Sequence, residues 1–214
     1  MKKGIIFDLD GTLWDSTEVL VKAWNAVLAK FPQTKVVVTL EKLKSLLGKP
    51  LEAIIEALVV DVTDADIRKQ IADTCAKVEH DILSKEGGIL YPMVEETLTF
   101  LSKKYHLYIV SNCQDGYIES FFAAHGLEHF FEDYECPGRS GLLKVDNIRL
   151  IIERNSIDKA IYVGDTVMDY EASKKAGIPF VHATYGFGKI DEKVDEINHF
   201  SELSKKIFED LLFI

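Results

Sequence analysis

The apolar run Ile5-Ile6-Phe7 stops at Asp8-Leu9-Asp10-Gly11-Thr12. An unbroken apolar run with no polar alternation reads as a strand buried on both faces, the kind found inside a parallel sheet. Open α/β sheets bind ligands beyond the carboxyl ends of their strands. Two carboxylates at such an end, followed by a glycine that lets the backbone turn away, are poorly explained by packing. Taken alone, the segment also suits an Asp-rich turn with Gly11 as the turn residue. The same grammar returns in Ala160-Ile161-Tyr162-Val163-Gly164-Asp165-Thr166-Val167-Met168-Asp169. Asp165 should leave that strand tip, and Asp169 should fall in or just before the first turn of the helix through Glu171, Ala172 and Ala176, so both can face one pocket.

A third run, Leu107-Tyr108-Ile109-Val110, ends in Ser111-Asn112, and shorter strands are expected around Tyr134 and around Phe180-Val181-His182. These runs alternate with helical patterns, which is the signature of an α/β fold with a doubly wound, Rossmann-like parallel sheet. Residues 16–90 break the alternation, because the one strand-like run there, Val36-Val37-Val38, is short. Leu20, Trp24, Val27, Leu28 and Phe31 form one helical stripe, and Ile67, Ile71, Cys75, Val78 and Ile82 form another. Thr39 suits the cap of a helix ending at Gly48, Pro50 the first turn of the next, and Thr63 with Asp66 a capping box before a long third element. The expected organisation is a core of residues 1–15 and 91–214 with an inserted α-helical cap domain of residues 16–90, returning through Gly87-Gly88 and Pro92 as a hinge.

The chain of 214 residues is long enough for one core domain plus a smaller one. A formal charge of -10 with no offsetting block of Lys and Arg argues against a nucleic-acid partner. Cys75, Cys113 and Cys136 are odd in number and far apart, which suits free thiols in a reducing compartment. Met1-Lys2-Lys3 leads straight into the first strand, leaving no signal peptide or membrane span before Asp8, so the cytoplasm is the expected location. The six histidines lie without ligand spacing, against a transition-metal cluster.

Four acidic side chains from two strand ends repel one another and any anionic substrate unless something positive lies between them. Oxygen-only ligands favour a hard cation, and Mg²⁺ is the natural candidate. Read singly, Ser111 is an ordinary cap or turn residue for the helix from Gly116 to Ala124, and Lys144 an ordinary solvated charge.

In order, Asp8-x-Asp10-Gly11-Thr12, Ser111-Asn112, Lys144 and Gly164-Asp165-x-x-x-Asp169 resemble the motifs of the haloacid dehalogenase superfamily of phosphotransferases, from Met1 to about Gly188. The helical insert after the first motif resembles the branch of phosphoglycolate phosphatase-like and β-phosphoglucomutase-like enzymes. Val145 stands where relatives commonly carry proline, and Asn112-Cys113 where a glycine often follows the Ser-Asn pair.

The resemblance implies phosphoryl transfer. Asp8 is the expected nucleophile and Asp10 the acid and base. Asp8, Asp165 and Asp169, the last directly or through water, are the expected Mg²⁺ ligands, and the resemblance adds the Asp10 backbone carbonyl. Lys144 balances Asp8 and the transferring group, and Ser111 gives its hydroxyl to a phosphoryl oxygen. The backbone amides of Leu9 and Asn112 are further donors implied by the family, and Thr12 is expected to fix the first loop.

Lys49, between Gly48 and Pro50, resembles the cap loop that relatives lower into the site, with a solvated surface charge as its other reading. Trp14 and Asp15, at the cap entry, are placed to meet the leaving group or to pack the linker. The expected function is a Mg²⁺-dependent phosphatase of a small phosphorylated metabolite, monomeric or a small homo-oligomer, with phosphoglycolate one candidate. A phosphomutase of the β-phosphoglucomutase type is the alternative, and a non-catalytic phosphate-binding protein a more distant one.

Overall fold

The computed structural model describes residues 1–208. In chain order the elements are β1 (Lys3–Phe7), β2 (Trp14–Asp15), α1 (Thr17–Leu28), α2 (Leu40–Lys44), α3 (Leu51–Leu58), α4 (Ala65–Glu86), β3 (Ile89–Leu90), α5 (Val94–Leu101), β4 (His106–Val110), α6 (Tyr117–His125) and β5 (Phe131–Glu135). They continue with α7 (Pro137–Ser140), α8 (Lys144–Arg154), β6 (Lys159–Gly164), α9 (Val167–Ala176), β7 (Phe180–Ala183), β8 (Asp195–Ile197) and α10 (Glu202–Phe208).

Six strands form one parallel sheet in the order β5-β4-β1-β6-β7-β8. The expected α/β class and strand runs are all present, and β8 adds an edge that too few apolar residues announce. Ile5 and Phe7 face a core layer shared with Leu98 of α5 and Phe121 of α6. Ile6 faces the opposite layer, with Tyr108, Tyr162, Ile148 and Ile151. Helices therefore cover both faces, which is why β1 has no polar alternation.

Register positions the site. Phe7 pairs with Ile109 on one side and Val163 on the other, so Asp8, Ser111 and Asp165 all emerge at one carboxyl edge. The strand order reverses about β1, leaving a crevice there.

Between β2 and β3, which pair antiparallel as Trp14↔Leu90 and Asp15↔Ile89, the chain makes α1 to α4. Leu20, Trp24, Val27 and Leu28 are buried as expected, while Phe31 is only partly so. Three local expectations need correction. The helix begun at Thr39 ends at Lys44 rather than Gly48, although Thr39 does cap it, accepting from the Lys42 amide at 3.2 Å. The cap of α4 is Asp64, not Thr63, because its carboxylate accepts from both the Asp66 and Ile67 amides. The buried stripe of α4 runs through Ile71, Cys75, Glu79 and Leu83, so a carboxylate occupies the face where Val78 was expected. Among the described residues, Val36–Val38 pairs with no strand; Val38 is held by the Asn25 amide instead. Among the described residues no helix is long and apolar enough to cross a membrane.

Candidate active site

Asp8 follows the last residue of β1, buried, with its Oδ1 accepting from Lys144 Nζ at 2.8 Å. Burial pushes its carboxyl up to about 6, and the charge of Asp169 adds to this while Lys144 and Ser111 pull it back. Lys144 opens α8 and is only 5% exposed, so it is not the solvated surface charge it suggests when read singly. Burial alone would pull its ammonium down, but Asp169 and Asp8 together hold it well above the usual lysine range. Its ammonium also donates to Asp169 Oδ1 and lies 5.5 Å from the centre of the Tyr162 ring.

Asp169 is placed by local helix chemistry. Thr166 caps α9, and the two residues form a capping box in which Asp169 Oδ2 accepts from the Thr166 amide at 2.9 Å and its hydroxyl at 2.7 Å. A Cβ on Gly164 would lie 2.7 Å from the Asp169 Cβ, so the glycine ending β6 makes room for this turn.

Asp165 is completely buried, and its Oδ2 accepts from the amides of Phe187 at 2.7 Å and Gly188 at 3.3 Å. Its Oδ1 is buried and has no hydrogen-bond partner among the described residues, and burial, then the charges of Asp169 and Asp8, pushes its carboxyl well up. Gly11, at φ +82°, lies directly against this carboxylate, where any Cβ would collide.

One carboxylate oxygen from each of Asp8, Asp165 and Asp169 falls within a 4.8 Å cluster. Three buried carboxylates beside a single ammonium, with one oxygen left orphaned, fit a hard cation held by oxygen ligands.

Asp10 is partly buried and differently partnered. Its Oδ1 accepts from Ser16 Oγ at 2.5 Å and Tyr117 OH at 3.1 Å, and Tyr117 also donates to Ser16 at 3.0 Å. Burial raises its carboxyl to about 7; Ser16 opposes the shift and the Asp8 charge assists it. Ser16 occupies the N-cap position of α1 yet makes no cap bond, because its hydroxyl is turned to Asp10.

Ser111 is buried at the tip of β4, its amide bonded to the Glu135 carbonyl at 3.3 Å. The Asn112 side chain donates to the Gly48 carbonyl at 2.8 Å, tying the loop before α3 to this strand tip. Lys49 is exposed but lines the same cavity as Asp8, Asp10 and Ser111, a space of about 30 Å³. Leu9 is fully buried, and its carbonyl accepts from the amides of Thr12, Leu13 and Trp14. Among the described residues the Thr12 hydroxyl has no hydrogen-bond partner, and that backbone turn, with Tyr185 donating to the Thr12 carbonyl at 2.9 Å, holds the first loop.

Trp14 is completely buried and packs edge-on against Phe121 at 5.1 Å, while Asp15 pairs with Lys44 at 2.9 Å. Both therefore secure the entry to α1. Cys113 is buried with its thiol pushed well up, which suits a bystander rather than a nucleophile.

Sequence reasoning missed Ser16, Tyr117, Gln114 and Glu79, of which only Glu79 left a trace, as an acid inside an amphipathic helix. Glu79 is buried on α4, accepts from Trp24 Nε1 and Gln114 Nε2, and lines the cavity that holds Asp8 and Asp10.

A haloacid dehalogenase-like hydrolase family model matches residues 5–183. The phosphoglycolate phosphatase of Aliivibrio fischeri is 28% identical over 201 residues, covering 86% of this chain and 85% of that protein. A haloacid dehalogenase-like hydrolase from Bacteroides fragilis superposes with TM-score 0.82 at 26% identity, covering 95% of this chain and 100% of that one. A predicted phosphatase from Clostridium acetobutylicum gives TM-score 0.80 at 27% identity, covering 98% and 99%. The chain therefore belongs to the haloacid dehalogenase-like hydrolase family, as an enzyme of its phosphatase branch.

Proposed function

We propose that the protein is a Mg²⁺-dependent phosphatase of a small phosphorylated metabolite, working through an aspartyl phosphate on Asp8. The observation that carries this reading is the unequal treatment of two carboxylates at one strand tip. Asp8 is held against the Lys144 ammonium, whereas Asp10 is bonded to the neutral hydroxyls of Ser16 and Tyr117, and burial raises its carboxyl. That division suits a nucleophile beside an acid.

In the first half-reaction an Asp8 oxygen forms a bond to phosphorus as the bond to the leaving alcohol breaks, and Asp10 gives its proton to the departing oxygen. In the second, Asp10 takes a proton from the water that displaces the phosphoryl group from Asp8, regenerating both residues. Ser16 and Tyr117 hold the Asp10 carboxyl in place between these roles. Lys144 balances charge on Asp8 and the transferring group; Ser111 and the amides of Leu9 and Asn112 supply donors to its oxygens. Asp8, Asp165 and Asp169, with the Asp10 carbonyl, would hold Mg²⁺, which supplies positive charge against the phosphoryl oxygens.

Residues 16–90 act in this reading as a cap that limits water while the aspartyl phosphate exists. The bond from Asn112 to the Gly48 carbonyl supports this, since it joins the cap loop to a catalytic strand tip. Phosphoglycolate is one candidate substrate, suggested by relatives such as that of Aliivibrio fischeri.

A phosphomutase would use the same Asp8 and Asp10, but must accommodate a sugar in two orientations. Phosphate release across a metabolite panel with Mg²⁺ tests the reading; conversion of hexose phosphates to isomers without release would replace it by the mutase.

A further inference from the structure

We propose that Cys113 and Cys136 are an oxidation site: hydrogen peroxide joins them in a disulfide that displaces the Ser111-Asn112 strand tip and lowers turnover, and a dithiol reductant reopens it. The effect on turnover rests on the phosphatase reading, whereas the bridge itself does not.

The two residues stand on the loops that leave neighbouring parallel strands, Cys113 after β4 and Cys136 after β5. Those loops are pinned to each other on both sides of the pair. The Ser111 amide donates to the Glu135 carbonyl at 3.3 Å, and the Gly138 amide to the Cys113 carbonyl at 3.1 Å. A Cβ on Gly138 would lie 2.3 Å from the Asp115 nitrogen, so one loop lies flat against the other. Neighbouring strands run about 4.8 Å apart, inside the roughly 4.4–6.8 Å that a disulfide needs between its α-carbons. The side chains turn toward each other as well: Cys136 Sγ donates to the Gln114 carbonyl at 3.7 Å, and each thiol interacts directly with the other.

The pair is chemically unequal. Contact with Cys113, then the Arg139 amide, pulls the Cys136 thiol below its usual range against the cost of burial, whereas burial and Cys136 hold the Cys113 thiol well up. Cys113 also lines the active-site cavity and a second one of about 120 Å³, beside Pro137 and Gly138, which has room for a molecule as small as peroxide. Cys136, as thiolate, attacks one peroxide oxygen; the O–O bond breaks, the departing hydroxide takes the thiol proton as water, and a sulfenic acid remains. Cys113 sulfur then attacks Cys136 sulfur and gives up its proton, the S–O bond breaks, and a second water leaves. Two thiols and one peroxide thus become one disulfide and two waters.

The bridge acts on the site through its neighbours in the chain. Asn112, whose amide is a donor to the phosphoryl group in the phosphatase reading, directly precedes Cys113, and its side chain holds the Gly48 carbonyl of the cap loop. Gln114, which follows, holds Glu79 on α4. Drawing Cys113 onto Cys136 moves both ties. A displacement on the order of 1 Å at such donors costs about 10-fold or more in rate.

The test treats the whole protein with hydrogen peroxide, alkylates it under denaturing conditions and maps its peptides, with turnover followed in parallel. Cys113 and Cys136 should be recovered as one disulfide-linked peptide pair while Cys75, buried on α4, is still alkylated. Turnover with Mg²⁺ should fall by about 10-fold or more and return with dithiothreitol, and Cys136→Ser should keep its own turnover through the same treatment. Bridge and recovery are both read on the wild type, so they decide even if the variant does not fold.

Recovery of both cysteines alkylated after peroxide, a bridge that leaves turnover unchanged, or an equal loss in Cys136→Ser overturns the proposal. A mapped bridge in a protein whose reduced form releases phosphate from no ester overturns the phosphatase reading instead, and leaves the oxidation site standing.

Discussion

The two walls of the cavity treat buried charge in opposite ways. At the ends of β1 and β6 and the starts of α8 and α9, Asp8 and Asp169 share the ammonium of Lys144, and all three are almost wholly enclosed. On the helical wall, Glu79 is equally enclosed but bonded to neutral donors, and Lys49 stands exposed. A wall whose charges are fixed against one another suits a ligand that never varies, the phosphoryl group. A wall whose cation stands exposed at the rim suits the part of a substrate that does vary. Removing residues from the first wall should thus abolish chemistry, and from the second redistribute it among substrates.

The largest effect should come from Asp8→Asn, since an amide cannot form the acyl phosphate. Turnover should fall by several orders of magnitude while Lys144 keeps Asp169 as a partner, so the circular dichroism spectrum should not change. More than a few per cent of residual activity would remove Asp8 from the role of nucleophile. Asp165→Ala should come next, lowering Mg²⁺ affinity and activity together, with Ca²⁺ inhibiting the wild type because its looser coordination misplaces Asp8. Full activity in excess chelator would contradict the metal assignment.

A pH series probes both walls at once. Asp8, Asp10 and Glu79 are raised to about 6, 7 and 8, so in the fold each resists ionising. Their contribution to stability is complete below about pH 4 and is lost as pH rises through 6 to 8. Without Mg²⁺ the melting temperature should fall by roughly a few degrees across that window, and Mg²⁺ should recover the strand-tip share. A melting temperature flat from pH 5.5 to 8.5 would mean the carboxyls are not held this way. The rate constant for release of the leaving group should decline above about pH 7, as Asp10 loses the proton it must give.

The smallest effect should follow Lys49→Ala. Esters whose leaving group carries an anion to the rim should lose about 10 to 200-fold in kcat/KM, with little change for a neutral aryl phosphate. Equal losses on both would move Lys49 into the common machinery.

The same contrast governs what could be read in advance. The strand-tip residues were legible because a both-face-buried strand leaves a long apolar run, and its polar terminus stands out against it. Lys144 showed itself only by its order among the motifs; burial against two carboxylates is a tertiary fact. Ser16 and Tyr117 were hidden because each has an ordinary local reading, a helix cap and an aromatic core residue, which contact with Asp10 overrides. On α4 the apolar stripe was read through Val78, but the helix turns its neighbour Glu79 inward, toward Trp24 and Gln114. Periodicity finds the face of a helix to within about one residue, and here that residue carries the charge. Likewise, Asp64 and Thr63 were both competent caps, and the Asp64 carboxylate took two amides.

The central claim, that phosphoryl transfer passes through the paired wall, is tested most directly by trapping the intermediate. Enzyme turning over a ³²P-labelled ester with Mg²⁺ is quenched in acid, the protein-bound label is checked for release by hydroxylamine, and borohydride reduction marks the modified carboxyl for peptide mapping. We predict hydroxylamine-labile label on Asp8, converted to homoserine by borohydride, and no label on Asp8→Asn. Label on any other residue, or none while phosphate is being released, would contradict the account.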